Sequence, residues 1–179
     1  MKWIAFPLHP EVPPQGVTPE ELFNTNPINM EAAFARFQRT ADELGLPWGP
    51  RHKIYNTRRA AELGKWAEEM GRSDAYHEAV FKAYFAEALD ISDRTILETI
   101  CQDLGLDGAE AERVLDQNTH QEAVDRDWRY SKEMSVMAVP TFMASGRSVV
   151  GAQPYEVLEN LVIQASDQGA GPRPPLPMV

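Results

Sequence analysis

The chain has one cysteine, Cys101, in 179 residues. An intrachain disulfide is therefore excluded, as is a two-thiol redox cycle within the chain or a thiolate metal site. Histidine is also scarce. His9, His52, His77 and His120 are scattered, and none has the paired spacing that zinc enzymes use. His77-Glu78 is half of such a motif without its second histidine, so it is read as a solvated helix face, and no metal site is expected. Basic residues are outnumbered, 17 Lys and Arg against 27 Asp and Glu, for a net charge of −10. Nucleic acid and anionic membrane surfaces select clustered Lys and Arg, so neither is expected as a partner. No run approaches the roughly 20 apolar residues of a membrane span. Met1–Leu8 is too short for a signal peptide and is cut off by Pro7 and His9. The expectation is a cytoplasmic protein.

What is present is ordinary globular material. The hydrophobic fraction is 43% and the charged fraction 25%, enough for a real core. Lys2–Leu8 reads as a strand, because Trp3, Ile4 and Phe6 suit a pleated buried surface. The segment 9–28 is proline-rich and reads as irregular, pinned by Leu22 and Phe23. A helix is expected over Met30–Leu44, capped by Asn29 and stopped by Gly45, with Met30, Ala33, Phe34, Phe37, Ala41 and Leu44 inward. A second runs from Arg58 to Met70, capped by Thr57, with Leu63, Trp66 and Met70 inward. A third covers Ala75–Leu89, burying Tyr76, Val80, Phe81, Tyr84 and Ala88. A fourth covers Asp93–Leu104, capped by Ser92. Two more follow, Gly108–Gln117 behind Asp107 and Thr119–Met134 behind a T-H-Q-E capping box.

The most informative stretch is Val136–Gln153. Thr141–Ala144 and Arg147–Val150 are short β-type runs, and Ser145-Gly146 between them is a tight hairpin turn. Pro140 stands at the mouth of the first strand, where a missing N–H is tolerated. Pro154 opens a last helix to Ala165, with Leu158, Leu161, Val162 and Ala165 facing the sheet. The tail, 166–179, contains R-P-P-L-P and reads as flexible and proline-rich.

The hairpin with its G-A-Q-P return, Phe6-Pro7-Leu8-His9-Pro10, Asn56-Thr57-Arg58 and the F-K-A-Y-F-A-E-A-L-D-I-S run of Phe81–Ser92 together resemble the DsbA-like branch of the thioredoxin superfamily. They are closest to its FrnE-type oxidoreductases, with the 2-hydroxychromene-2-carboxylate isomerases more distant. The resemblance implies an α/β, thioredoxin-like sheet formed by 1–28 and 136–165, and a large helical insertion over 29–135. The family's Cys-x-x-Cys strand and helix have no counterpart, so the first β-α unit is expected to be absent. That would leave a slot in the sheet. Three explanations stand side by side: a natural protein that is longer at its N-terminus, a slot filled in trans by a second copy or another chain, and a sheet that has closed up or changed pairing and lost redox activity.

The resemblance also implies the site. Val139 would pair through its backbone with an extended substrate, Pro140 would be cis and shape the loop, and Thr141 would flank it. Asn56 and Arg58 are candidates for reaching a thiol peptide or the carboxylate of glutathione, the one cofactor the resemblance allows. No catalytic residue is expected. Cys101 lies on the apolar stripe of Leu97, Ile100 and Leu104, where a cysteine is a small buried hydrophobe with a raised pKa. Three functions follow from these residues: a DsbA-like oxidoreductase family protein inactive alone, a glutathione-dependent isomerase relative, and a non-catalytic peptide- or partner-binding module. The G-A-Q-P return favours the first, since the isomerases carry a W-G-x-D-R-like return instead.

Overall fold

A computed structural model describes residues 1–23 and 30–167. The elements in chain order are α1 (Pro19–Leu22), α2 (Met30–Glu43), α3 (Arg58–Glu69), α4 (Ser73–Phe81), a π-helical turn (Lys82–Ala86), α5 (Arg94–Asp103), α6 (Gly108–Gln117), α7 (Gln121–Glu133), β1 (Thr141–Ala144), β2 (Arg147–Val150) and α8 (Tyr155–Asp167). The chain divides into two compact units, Met1–Trp128 and Arg129–Val179. The expected cap Asn29 and the R-P-P-L-P tail lie outside the described residues.

The first unit is built on α3 to α6. Leu63, Trp66 and Ala67 of α3 meet Tyr76 and Val80 of α4, Leu97, Ile100 and Cys101 of α5, and Ala111 and Val114 of α6 in one buried cluster. Burying a leucine or valine completely is worth roughly 1.5–3 kcal/mol, so this cluster dominates the unit's stability. Its one interior hydroxyl is satisfied, with Tyr76 Oη donating to Ala60 O at 3.1 Å. The helices stop where their glycines stand. Leu46 N–H returns to Ala41 O, Arg72 N–H to Ala67 O and Leu106 N–H to Cys101 O, the six-residue closure that satisfies late carbonyls.

Several expectations give way here. Lys2–Leu8 is not a strand. Its backbone is bound by side chains instead of a ladder: Ala5 N–H donates to Asp127 Oδ2 at 2.8 Å and Lys65 Nζ to Trp3 O at 3.1 Å, while the Trp3 ring stacks on His77 at 4.4 Å. The segment 9–28 is not wholly irregular. Thr18, Pro19 and Glu21 form a full capping box that opens α1. Its signature, T-P-E-E, is plain in the sequence. Thr57 sits at the N-cap of α3 but makes no side-chain cap. Asn56 Oδ1 takes the Arg58 N–H in its place, at 2.9 Å. The cap of α5 is Asp93, accepting from Thr95 N–H, and not Ser92, whose hydroxyl reaches Pro14 O and Asp90. Met70 is exposed because α3 has already ended.

The expected helix over Ala75–Leu89 ends early. After Phe81 it widens into a π turn, with Glu87 N–H donating to Lys82 O, and Ala88 takes a left-handed φ of 55°. The widened turn leaves the Phe85 carbonyl for another partner, and Gly49 N–H takes it at 2.8 Å. Gly49 has to be glycine, since a Cβ there would stand 2.4 Å from Ala86 O. Phe81, Phe85 and Phe37 remain substantially exposed rather than buried. They line an aromatic run that passes through Trp48 to Tyr84.

The second unit holds the only sheet among the described residues. β1 and β2 pair antiparallel from Thr141↔Val150 to Ala144↔Arg147. Ser145 and Gly146 turn between them with φ of 46° and 77°, the doubly positive geometry that matches strand twist in two-residue hairpins. α8 packs on both strands. Ser145 Oγ donates to Ala165 O at 3.3 Å and Arg147 Nη1 to Gln164 Oε1 at 2.5 Å. Leu161 is buried, with Leu158 and Ala165 partly so. Val162 is 61% exposed, contrary to expectation. Two strands are too narrow to cover the full apolar stripe of the helix.

Candidate functional site

The loop that enters β1 is held from both sides. Gly151 N–H donates to Pro140 O at 2.8 Å, and Thr141 Oγ1 donates back to Ala138 O at 2.6 Å. The Val139–Pro140 peptide is cis. Val139 is 44% exposed and Met137 88%. Among the described residues, nothing hydrogen-bonds the Val139 N–H or C=O. A short backbone segment with free polar groups therefore stands beside a hairpin, with apolar side chains on either side of it.

Asn56 and Arg58 come together in the other unit. Asn56 Nδ2 donates to Val12 O at 2.7 Å, tying the N-terminal segment to the start of α3. All three nitrogens of the Arg58 guanidinium are engaged: Nε with Glu62 at 2.8 Å, Nη1 with Asp125 at 2.7 Å and Nη2 with Gln121 O at 2.9 Å. Its flat face lies over Trp128 at 4.8 Å. Burial works against the charge, but the hydrogen bonds to Asp125 and Glu62 outweigh it and hold the guanidinium more firmly protonated than usual. A ligand carboxylate at Arg58 would have to displace Asp125. Asn56 and Arg58 belong to Met1–Trp128, and Val139, Pro140 and Thr141 to Arg129–Val179.

Cys101 is fully buried and unpaired. Burial, aided by the charge of Glu98, pushes its thiol up to about 12. A thiolate is the nucleophile in disulfide exchange, so this sulfur is a packing group. No group of His, Cys, Asp and Glu among the described residues could hold a metal ion. No helix among them is long and apolar enough to cross a membrane.

Two features escaped the sequence reading. Lys65 and Asp127 form an ion pair at 2.8 Å, each side chain only 12% exposed, on which Trp3 O and Ala5 N–H converge. Burial pulls the Lys65 ammonium down, and hydrogen bonds to Asp127 and Glu68 more than restore it. The second is Arg51, whose guanidinium lies 4.5–4.7 Å from the ring centres of Trp48, Tyr84 and Phe85. The W-G-P-R and A-Y-F segments carry these residues, but nothing in the sequence pairs them.

The hairpin packed under α8 and entered through a cis-proline loop fits a thioredoxin-like protein, and comparison with known proteins shows that class. The DSBA-like thioredoxin domain model matches residues 1–162, and the chain belongs to that family. It is 26% identical over 169 residues to YwbO of Bacillus subtilis (strain 168), covering 90% of this chain and 80% of that protein. Its structure is similar to that of the probable DsbA oxidoreductase SCO1869 from Streptomyces coelicolor, with 25% identity and a TM-score of 0.73 over 89% of this chain and 68% of that one. A 2-hydroxychromene-2-carboxylate isomerase shares the fold at 23% identity and a TM-score of 0.68, over 84% of this chain and 78% of that one.

Proposed function

We propose that this chain provides the substrate-holding side of a DsbA-type thiol–disulfide oxidoreductase, docking a thiol- or disulfide-bearing peptide along residues 137–141. The observation that carries the reading is the unpaired Val139 backbone next to β1. An extended peptide adds to such an edge as a further strand. Main-chain hydrogen bonds supply the affinity, and exposed side chains such as Met137 and Val139 supply apolar contact. Membership of the DSBA-like family and likeness to a probable DsbA oxidoreductase support the reading. By itself the chain runs no dithiol cycle, because its single thiol is buried and protonated.

The test is fluorescence anisotropy with a labelled, extended peptide carrying one S-methylated cysteine, alongside an insulin-reduction assay. The chain is expected to bind the peptide and to leave the reduction rate at background. Val139→Asp places a charge on an exposed apolar contact and should weaken binding by about tenfold, or about 1.4 kcal/mol, with an unchanged circular dichroism spectrum. Equal binding by Val139→Asp, or insulin turnover by the chain alone, would overturn the proposal. Cys101 should also stay unlabelled by an aromatic disulfide reagent until the protein is unfolded.

A further inference from the structure

We infer that Arg51 and the rings around it form a second binding site, one that takes a carboxylate attached to an apolar group. The site lies wholly within Met1–Trp128 and shares no residue with the loop at Val139.

The arginine is held by construction. Gly49 N–H is bonded to Phe85 O, and the loop passes so close to Ala86 O that no side chain fits at 49. This stitch sets Trp48 and Arg51 against the π turn. The guanidinium then lies 4.5 Å from the Trp48 ring, 4.6 Å from Phe85 and 4.7 Å from Tyr84. Three aromatic faces hold its plane, so little rotamer freedom remains to be lost when a ligand binds.

Among the described residues the charge has no answering anion: no carboxylate forms an ion pair with Arg51, and no hydrogen bond reaches it. Its Nε is sealed from solvent without a partner. Arg58 and Arg94, by contrast, each hold two or more carboxylates. With its faces covered and its Nε sealed, the guanidinium offers its two Nη groups, the end of the fork that can bind a carboxylate edge-on through two parallel N–H···O bonds. The surroundings choose what else the ligand carries. Phe85 and Phe37, each partly exposed, continue from Trp48 on one side, and Leu46 is exposed nearby in the chain. An apolar group beside the carboxylate would cover these rings.

Such a carboxylate can be the terminus of a peptide or belong to a free organic acid, and the probes separate the two. N-acetyl-Gly-Gly-Phe with a free terminus, its C-terminal amide and phenylacetate are titrated into the intact chain by isothermal calorimetry. Either acid should bind saturably, and the tighter one identifies the source. The amide should bind at least tenfold more weakly than the acid. Arg51→Lys keeps the charge but loses the fork, and should lower affinity at least tenfold while Trp48→Phe, which keeps an aromatic wall, retains saturable binding. Thermal unfolding of each variant checks that it folds. If Arg51→Lys does not fold, the acid–amide comparison on the unaltered chain decides. Absence of saturable binding, equal binding of acid and amide, or an unchanged affinity in folded Arg51→Lys would each overturn the inference and leave Arg51 a packing residue.

Discussion

The two units solve the problem of burial differently. In Met1–Trp128 the apolar faces of four helices converge, and Leu63, Leu97, Cys101 and Val124 lose all contact with water. In Arg129–Val179, Leu161 is the one buried hydrophobic residue among those described, while Met137, Val139, Met143, Val150, Tyr155, Val157, Val162 and Ile163 stay largely exposed. A two-stranded hairpin is marginal by itself in water, and one helix shields one of its faces. The helical unit is thus a self-sufficient core, and the hairpin unit is a surface. Exposed apolar side chains occur in both units, but in Arg129–Val179 they far outnumber the buried ones, and Met137 and Val139 of the proposed docking loop are among them.

The comparison can be broken most forcefully at the ion pair of the helical unit. Asp127→Ala removes one of the two carboxylates that hold the Lys65 ammonium and the acceptor of the Ala5 N–H. It should cost about 2–5 kcal/mol in chemical denaturation, since a largely buried pair is broken and Lys65 keeps only the more exposed Glu68. A loss below ~1 kcal/mol would mean that water reaches Lys65 easily. Comparable in size is the core. Leu63→Ala should cost roughly 2–5 kcal/mol in the main unfolding transition. Leu161→Ala should leave that transition nearly in place and show instead as faster hydrogen exchange at the β1 and β2 amides. If the two variants shift the same transition equally, the units unfold as one and the contrast is false.

The smallest expected effect is a pH dependence. Burial, together with the charge of Lys65, lowers the His77 pKa beneath its ordinary value near 6.5. The unfolded chain then takes up the proton first. The stability tied to neutral His77 is complete above the unfolded pKa and is lost as pH falls from there through the depressed folded value. His77→Gln should flatten that part of the stability profile. An unchanged slope between pH 7 and 5 would assign the titration elsewhere.

Much of this organisation was legible in the sequence, and the misses have physical causes. Elements whose signals are local were readable: α6 behind Asp107, the Ser145-Gly146 hairpin and the stops of α3 and α5. The kinship was readable from short motifs spread along the chain, and the family match over residues 1–162 agrees with it. Lys2–Leu8 misled because Trp, Ile and Phe suit a strand and a docked extended segment equally well; the difference lies in Asp127, more than a hundred residues away. The cap of α5 was misplaced by one residue because neighbouring Ser92 and Asp93 are equally good capping types, while Thr57 holds the N-cap position of α3 and leaves the side-chain bond to Asn56. Arg58 reads as a free fork until its three partners, two of them over sixty residues away, are seen. How Val139, Pro140 and Thr141 act on a ligand rests on the binding tests above.

The π turn at Lys82–Ala86 has a wider meaning. A wide turn of this kind is what one inserted amino acid leaves behind in a regular helix. Removing that amino acid would restore an even spiral and swing whatever follows by about 100°, carrying Tyr84 and Phe85 off the guanidinium they now flank. Homologous chains should therefore divide by length at this point: those with the extra residue can keep an arginine flat among aromatics, and those without it would need another way to hold one.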